Sequence, residues 1–277
     1  MSRRRANYVL STHWDREWYQ HFQDYRYRLV RLIDRLFDGW QSERLQGAFQ
    51  TDGQAIMLED YLEVRPERRE QIKQLVKDGR LVVGPWYVMP DEFIVSGESL
   101  IRNLELGRKL AREWGGQPSS AGFVCDIFGH NSQMPQILAG FHIRGGLLWR
   151  GVNAIEQRLF RWRGADGTEL LTYRFGRVGY CDYSHQVRQS NMGARPFDAV
   201  ETAARLDRFL RVEADKSPVD PILLFDGGDH MEWDANAYAV LLKRMNRPDG
   251  EYEIVHTSLD AYLNEALAQA EHVATVI

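Results

Sequence analysis

Cysteine is scarce. The 277-residue chain holds two, Cys125 and Cys181, too few for a framework of disulfide bridges. Cys125 sits in an apolar run and is expected as a buried thiol. No apolar run approaches the roughly 18 residues that a membrane-spanning helix needs. The start, Met1 to Tyr8, enters a short apolar strand with no long apolar region and cleavage site. No signal peptide is therefore expected, and a reducing cytoplasm is the expected compartment. Positive charge is not in excess either. The formal net charge of -4 argues against a nucleic-acid surface. Arginines crowd the first 35 positions, but acids interleave with them, as on a solvated helix face. Internal repeats and low-complexity tracts are absent. What remains is a globular chain, 44% hydrophobic, long enough for one large domain or two small ones.

Aromatics are plentiful at 12%, with eight tryptophans. Trp14, Trp18, Trp86, Trp149, Trp162 and Trp233 lie close to the motifs that carry chemistry. Tryptophan is usually core. Beside carboxylates at loop positions it also offers a flat face on which a sugar can stack.

The order of elements is legible from periodicity. Strands are expected over 6–11, 47–52, 81–83, 123–125, within 141–149, and over 221–225 and 253–256. Leu159 to Arg163 and Leu170 to Phe175 read as a strand pair around the turn 164–167. Helical spacing marks 20–37, 55–64, 67–77, a helix opened by Ser96 with Ser99 and running through Trp114, then 196–213, 235–244 and 259–268. Asn131 or Ser132 is expected to cap a helix through Leu138. About seven strands alternating with helices imply a parallel α/β architecture. A seven-stranded β/α barrel and a strongly curved open sheet both fit.

Acids and aromatics recur just after strands, where such folds place their chemistry. His13 and Asp15 are two apart on an extended segment, so both can face one ion. An ordinary His–Asp hydrogen bond satisfies the same spacing. Asp126 leaves a buried strand in Gly122-Phe123-Val124-Cys125-Asp126-Ile127-Phe128-Gly129-His130. By itself it reads as readily as a helix cap. Arg150, at another strand end, can hold a neighbouring carboxylate ionised or merely close a strand. Asp229 follows Gly227-Gly228, where a thin backbone permits close approach to a ligand. One His and two Asp suit one divalent ion, zinc foremost. His230 is a rival ligand, with a core histidine the favoured reading. Asp91 and Glu92 are site acids or caps. In the irregular stretch 176–195, Tyr180, Asp182, Tyr183 and His185 are the candidate contacts. Two carboxylates flanking a sugar bond are the minimum machinery of most glycosidases.

These residues carry a resemblance. His13-Trp14-Asp15-Arg16-Glu17-Trp18, Gly84-Pro85-Trp86-Tyr87 with Pro90-Asp91-Glu92, Ser96-Gly97-Glu98-Ser99 with Arg102-Asn103-Leu104, and Asp126-Ile127-Phe128-Gly129-His130 with Gln133-Met134-Pro135-Gln136 resemble the N-terminal domain of family 38 glycoside hydrolases. These are the class II α-mannosidases, and the details are most similar to the bacterial branch that includes mannosylglycerate hydrolase.

The resemblance implies a zinc-dependent retaining α-mannosidase acting on a mannose-containing small glycoside or oligosaccharide. It implies His13, Asp15 and Asp126 as zinc ligands, with Asp126 also the nucleophile and Arg150 beside it. Asp229 becomes the acid/base, although Gly228-Asp229-His230-Met231 differs from the common forms of that motif. Trp18 becomes the aromatic floor under the mannose. Trp86, Asp91 and Tyr180 complete the expected substrate contacts. The family's fourth zinc ligand is a histidine from a later helical domain. Residues 1–277 are therefore expected to be the N-terminal catalytic domain, without the family's helical-bundle and β-sandwich domains. A homo-oligomer is a further expectation. Neither a nucleic-acid partner nor a membrane partner is expected. Two alternatives remain at this stage: a metal-dependent polysaccharide deacetylase on a similar scaffold, where the metal activates water, and a non-catalytic carbohydrate-binding domain. The 4-α-glucanotransferase and amylase families on similar barrels are disfavoured, because they lack the metal motif.

Overall fold

The computed structural model describes residues 3–189, 196–247 and 249–276. Its elements run β1 (Arg4–Ser11), α1 (Phe22–Gln41), β2 (Phe49–Gln50), α2 (Ile56–Val64), α3 (Arg69–Lys77), β3 (Leu81–Val82), α4 (Gly97–Glu113), β4 (Ala121–Val124), α5 (Met134–Gly140), β5 (Gly145–Leu148), β6 (Leu159–Arg163), β7 (Glu169–Arg174), α6 (Ala199–Lys216), β8 (Ile222–Asp226), α7 (Ala235–Met245), β9 (Tyr252–His256), α8 (Leu259–Leu267) and β10 (Thr275–Val276). Among the described residues no helix is long and apolar enough to cross a membrane.

Two five-stranded sheets result. In one, β3, β2, β1 and β8 lie in that order, all parallel, and β9 also pairs with β1. In the other the order is β10, β6, β7, β5 and β4. There the pairing of β6 with β7, a hairpin, is antiparallel, and β10, parallel to β6, shares its sense; β7, β5 and β4 run parallel to one another. The mixed α/β class with parallel strands agrees with the sequence reading. The ring of seven strands does not appear: ten strands fall in two sheets. The sheets approach through isolated bonds, Ser119 N–H to Val83 O and the Trp86 indole N–H to Phe123 O, without a continuous ladder between β3 and β4.

Period-two alternation explains how both sheets share one interior. From β1, β8, β4, β5 and β7, the residues Val9, Leu223, Phe225, Phe123, Leu147 and Leu171 point inward to one cluster. Phe225 stacks on Phe123 at 5.4 Å and meets Phe175 edge-on at 5.1 Å. Their neighbours along the strands, such as Tyr8, Leu10 and Leu224, face outward under α1, α2, α6 and α7. Helix α8 closes the interior with Leu259, Tyr262 and Leu263.

Helix starts follow their caps. Ser96, Asp198, Asp234 and Ser258 each accept a backbone N–H of the first turn. Neither Asn131 nor Ser132 caps α5, which begins after Gln133. Asn131 instead closes the preceding turn by accepting Gln133 N–H. The irregular stretch after β7 contains one helical turn, Ser184–Arg188. Residues 190–195 of that stretch lie outside the described residues.

His256 sits at the end of β9 as a neutral ring. It accepts Tyr238 O–H on Nδ1 and donates to the Ala48 carbonyl from Nε2, at 2.8 and 2.7 Å. Gly47 lies flat against it, leaving no room for a Cβ, which would stand 2.2 Å from the ring. Burial pushes this imidazole down to about 4. The unfolded chain therefore binds a proton that the folded one refuses between about pH 6.5 and 4. Stability from this group is complete above pH 6.5 and is lost as pH falls towards 4, by on the order of 2–3 kcal/mol. Urea midpoints measured from pH 7 to 4 should decline less steeply in His256→Gln, whose amide can keep both bonds.

Candidate active site

The pairing of β1 with β8 resumes beyond both strands. His13 N–H donates to Gly228 O at 2.9 Å, and His230 N–H to His13 O at 2.8 Å. This sets His13 opposite Asp229 in a parallel bridge. Asp126 leaves β4 two residues after the strand ends, and Arg150 leaves β5 in the same way. Four strand ends from two sheets thus open on one cleft of about 890 Å³, whose lining includes His13, Asp15, Asp126, Arg150, Tyr180 and Asp229.

His13 is buried, 3% exposed, with its Nε2 facing two carboxylates. Asp126 Oδ2 lies 3.3 Å from that nitrogen and Asp15 Oδ1 lies 3.5 Å away. Neither contact has hydrogen-bonding geometry, so Nε2 is left without a partner. One ligand atom each from His13, Asp15 and Asp126 fall within 4.8 Å of one another. Asp126 Oδ1 accepts a hydrogen bond from Arg150. That guanidinium lies 4.0 Å from the centre of the Trp149 ring and 4.9 Å from Phe128, so two aromatic faces hold it in place.

Charge explains the protonation states. Burial favours neutral His13, but the charge of Asp52 and the nearness of Asp126 and Asp15 prevail and hold its pKa well above the usual range. Burial also opposes ionised Asp126; His13 and Arg150 outweigh it and lower the carboxyl. Asp15 is lowered against burial in the same way, by His13 and His230. Three acids around one buried imidazole call for positive charge. A proton on His13 supplies one unit, and a divalent ion bound at Nε2 supplies more.

Asp229 is exposed to the cleft. Its Oδ1 accepts the Tyr180 hydroxyl at 2.6 Å. Burial, then this bond to a carboxylate, push the Tyr180 phenol far up, so it stays a donor. The Tyr180 ring also packs 4.8 Å from His13 and 5.5 Å from Trp149. Gly179, at φ +65°, makes this possible, because a Cβ there would lie 2.3 Å from the Trp149 indole.

The other expected residues separate. Trp18 stands on the cleft rim, 67% exposed. Asp91 lines the cleft, with Oδ1 accepting Phe93 N–H. Trp86 is placed otherwise: it is fully buried, away from the cleft, and its indole N–H is committed to the Phe123 carbonyl. Glu92 is the cap of the pair, buried and bonded to the His130 ring and to Asn131 N–H. Asp182 and Tyr183 are buried, while His185 reaches the cleft. His230 lies outside the three-residue cluster. Its Nε2 accepts Asp15 N–H at 3.2 Å, and its ring packs on Tyr25 at 4.3 Å, as the core reading expects.

Three further acids support the site. Asp60 holds Arg16 through two bonds of 2.7 and 2.8 Å. Asp226 joins Tyr8 to Arg188. Asp52 lies behind His13, its Oδ2 3.0 Å from Nδ1. The sequence shows each only as an acid at a strand end or on a helix.

Comparison with known proteins gives the chain's relatives. A protein of Halalkalibacterium halodurans, provisionally named a mannosylglycerate hydrolase, is 41% identical over 179 residues, 60% of this chain and 20% of its own. The α-mannosidase of Saccharomyces cerevisiae is 31% identical over 172 residues, 58% of this chain and 15% of its own. The crystal structure of an α-mannosidase from Enterococcus faecalis V583 superposes with a TM-score of 0.85 at 29% identity, covering 99% of this chain and 30% of that one. The chain thus spans less than a third of the length of each of these proteins. The sequence matches the description "Glycosyl hydrolases family 38 N-terminal domain" from residue 5 to residue 276, and the chain belongs to that family.

Proposed function

We propose that this chain is the catalytic domain of a metal-dependent, retaining α-mannosidase that hydrolyses terminal α-mannosides of small glycosides or oligosaccharides. One observation carries the reading: a buried, unpartnered His13 Nε2 faces Asp15 and Asp126 in the cleft that also holds Asp229. The names of the relatives supply the sugar.

The donor set fits a metal. One imidazole and two carboxylates are the ligands of a zinc site that keeps positions open. His13, Asp15 and Asp126 would hold the ion, and when bound it supplies concentrated positive charge for sugar hydroxyls and for the developing transition state.

The remaining steps belong to side chains. Asp126, ionised through Arg150, attacks the anomeric carbon and becomes the glycosyl ester. Asp229 gives its proton to the departing oxygen, and the leaving group goes as an alcohol. Asp229 then takes a proton from water, and that water cleaves the ester and restores the Asp126 carboxylate. Tyr180 orients Asp229 through its hydroxyl. Trp18 at the rim offers an apolar face to the sugar.

Calorimetric zinc titration tests the metal centre. We expect one ion per chain, with His13→Ala and Asp126→Ala each binding at least about 10-fold more weakly. Equal binding by all three proteins would refute the site.

A further inference from the structure

The resting place of Asp52 has a consequence for this centre. Asp52 is fully buried and does not line the cleft, so substrate cannot touch it. It follows β2 in a tight turn: its N–H bonds Gln50 O at 3.0 Å, and Gln54 N–H bonds Thr51 O at 2.7 Å. Its backbone takes φ +49°, a conformation that Asp tolerates better than most residues. The turn aims the carboxylate across to the end of β1. There one oxygen, Oδ2, accepts Trp14 N–H at 2.8 Å and the Gln54 amide at 2.7 Å, and lies 3.0 Å from His13 Nδ1, a charge contact outside hydrogen-bonding geometry that leaves Nδ1 without another partner. The other oxygen, Oδ1, is buried without a partner. Among the described ion pairs, His13 is the one cationic partner of this carboxylate.

Joining two strand ends does not require a charge there. An asparagine oxygen could accept the same two N–H groups. A buried carboxylate is costly unless a charged or strongly polarised partner answers it. We infer that Asp52 is a positioning residue of the metal centre: it keeps the His13 proton on Nδ1, so that Nε2 faces Asp15 and Asp126 as a free and more basic ligand. This inference rests on the metal site proposed above. A carboxylate behind a ligating histidine fixes its tautomer and typically contributes 10–100-fold in metal affinity.

The test compares zinc affinity in the wild-type chain, Asp52→Asn and Asn103→Ala, by competition with a chromophoric chelator, with circular dichroism as the check on folding. Asn103 ties Tyr87 and Val88 to α4 and makes no contact with His13. Its variant therefore loosens a nearby loop and leaves the ligand alone. We expect Asp52→Asn to keep one site per chain, to bind zinc about 10–100-fold more weakly, and to shift the visible spectrum of the cobalt-substituted protein. Asn103→Ala should bind as the wild type does. Undiminished zinc affinity in Asp52→Asn would overturn the inference, as would an equal loss in Asn103→Ala. A second measurement needs no substitution. In the zinc-loaded wild type, nitrogen NMR should show His13 protonated at Nδ1 and metallated at Nε2; the opposite tautomer would overturn the assignment. A wild-type chain that binds no zinc would instead remove the metal site, an outcome distinct from both.

Discussion

Asp126→Ala is expected to lower turnover of an aryl α-mannoside by at least about 10⁴-fold, because a missing nucleophile cannot be replaced by binding. The two duties proposed for the residue meet different neighbours. Oδ1 accepts Arg150, and Oδ2 faces His13. A metal defect alone would be relieved by added zinc, whereas loss of the nucleophile would not. Azide offers a sharper distinction. It can enter the space vacated by the carboxylate and attack from the same face, so the variant should yield a mannosyl azide of inverted configuration. In the unaltered protein, a fluorinated mannoside that forms its ester quickly and loses it slowly should label Asp126. A deacetylase mechanism on the same scaffold forms no such ester. Turnover without any label, together with an active Asp126→Ala, would remove Asp126 from the covalent step.

Much of this arrangement was legible because it is local. The H-x-D spacing places His13 and Asp15 on one side of an extended segment, and an apolar run ending in Asp126 marks a strand exit. The same alternation that identifies the strands sorts Val9 and Phe225 inward and Tyr8 and Leu224 outward. Less legible were features that depend on what crosses the interior. Asp52 meets His13 across 39 positions of sequence, and nothing in Asp52-Gly53-Gln54 names its partner. Trp86 and Trp18 both stand beside motifs, yet one is fully buried and the other 67% exposed. Residue type cannot distinguish them, since an indole suits either a core or a sugar face. Asp91 and Glu92 are neighbours on one loop, and one faces the cleft while the other caps the turn at His130 and Asn131. Strand count faltered for a similar reason. The two-residue β2 and β3 fall inside expected strands, but β10, Thr275–Val276, carries no pattern of its own and becomes a strand only through its parallel partner β6.

Asp229→Ala should divide substrates by leaving group. A general acid typically contributes 10²–10⁴-fold, and the gain is greatest where the departing oxygen is strongly basic. An alkyl α-mannoside should therefore lose activity by roughly 10²–10⁴-fold. A dinitrophenyl α-mannoside leaves as a weak base and needs no proton, so its bond cleavage should stay within about 10-fold of wild type. The second half of the cycle should then slow, because no base remains to activate water, and the glycosyl ester on Asp126 should accumulate as a burst of dinitrophenol. The structure favours this division. Asp229 is exposed to the cleft, and Tyr180 donates to its Oδ1 at 2.6 Å, so removing the carboxylate takes away the proposed proton carrier while the proposed metal ligands His13, Asp15 and Asp126 remain. Tyr180→Phe should give the milder form of the same pattern, since the acid remains but loses the bond that aims it. Equal losses on both substrates in Asp229→Ala would mean that this residue supports the site as a whole, and the proton donor would have to be sought among the other cleft residues, where Glu17 and Asp91 are the carboxylates outside the His13, Asp15 and Asp126 cluster.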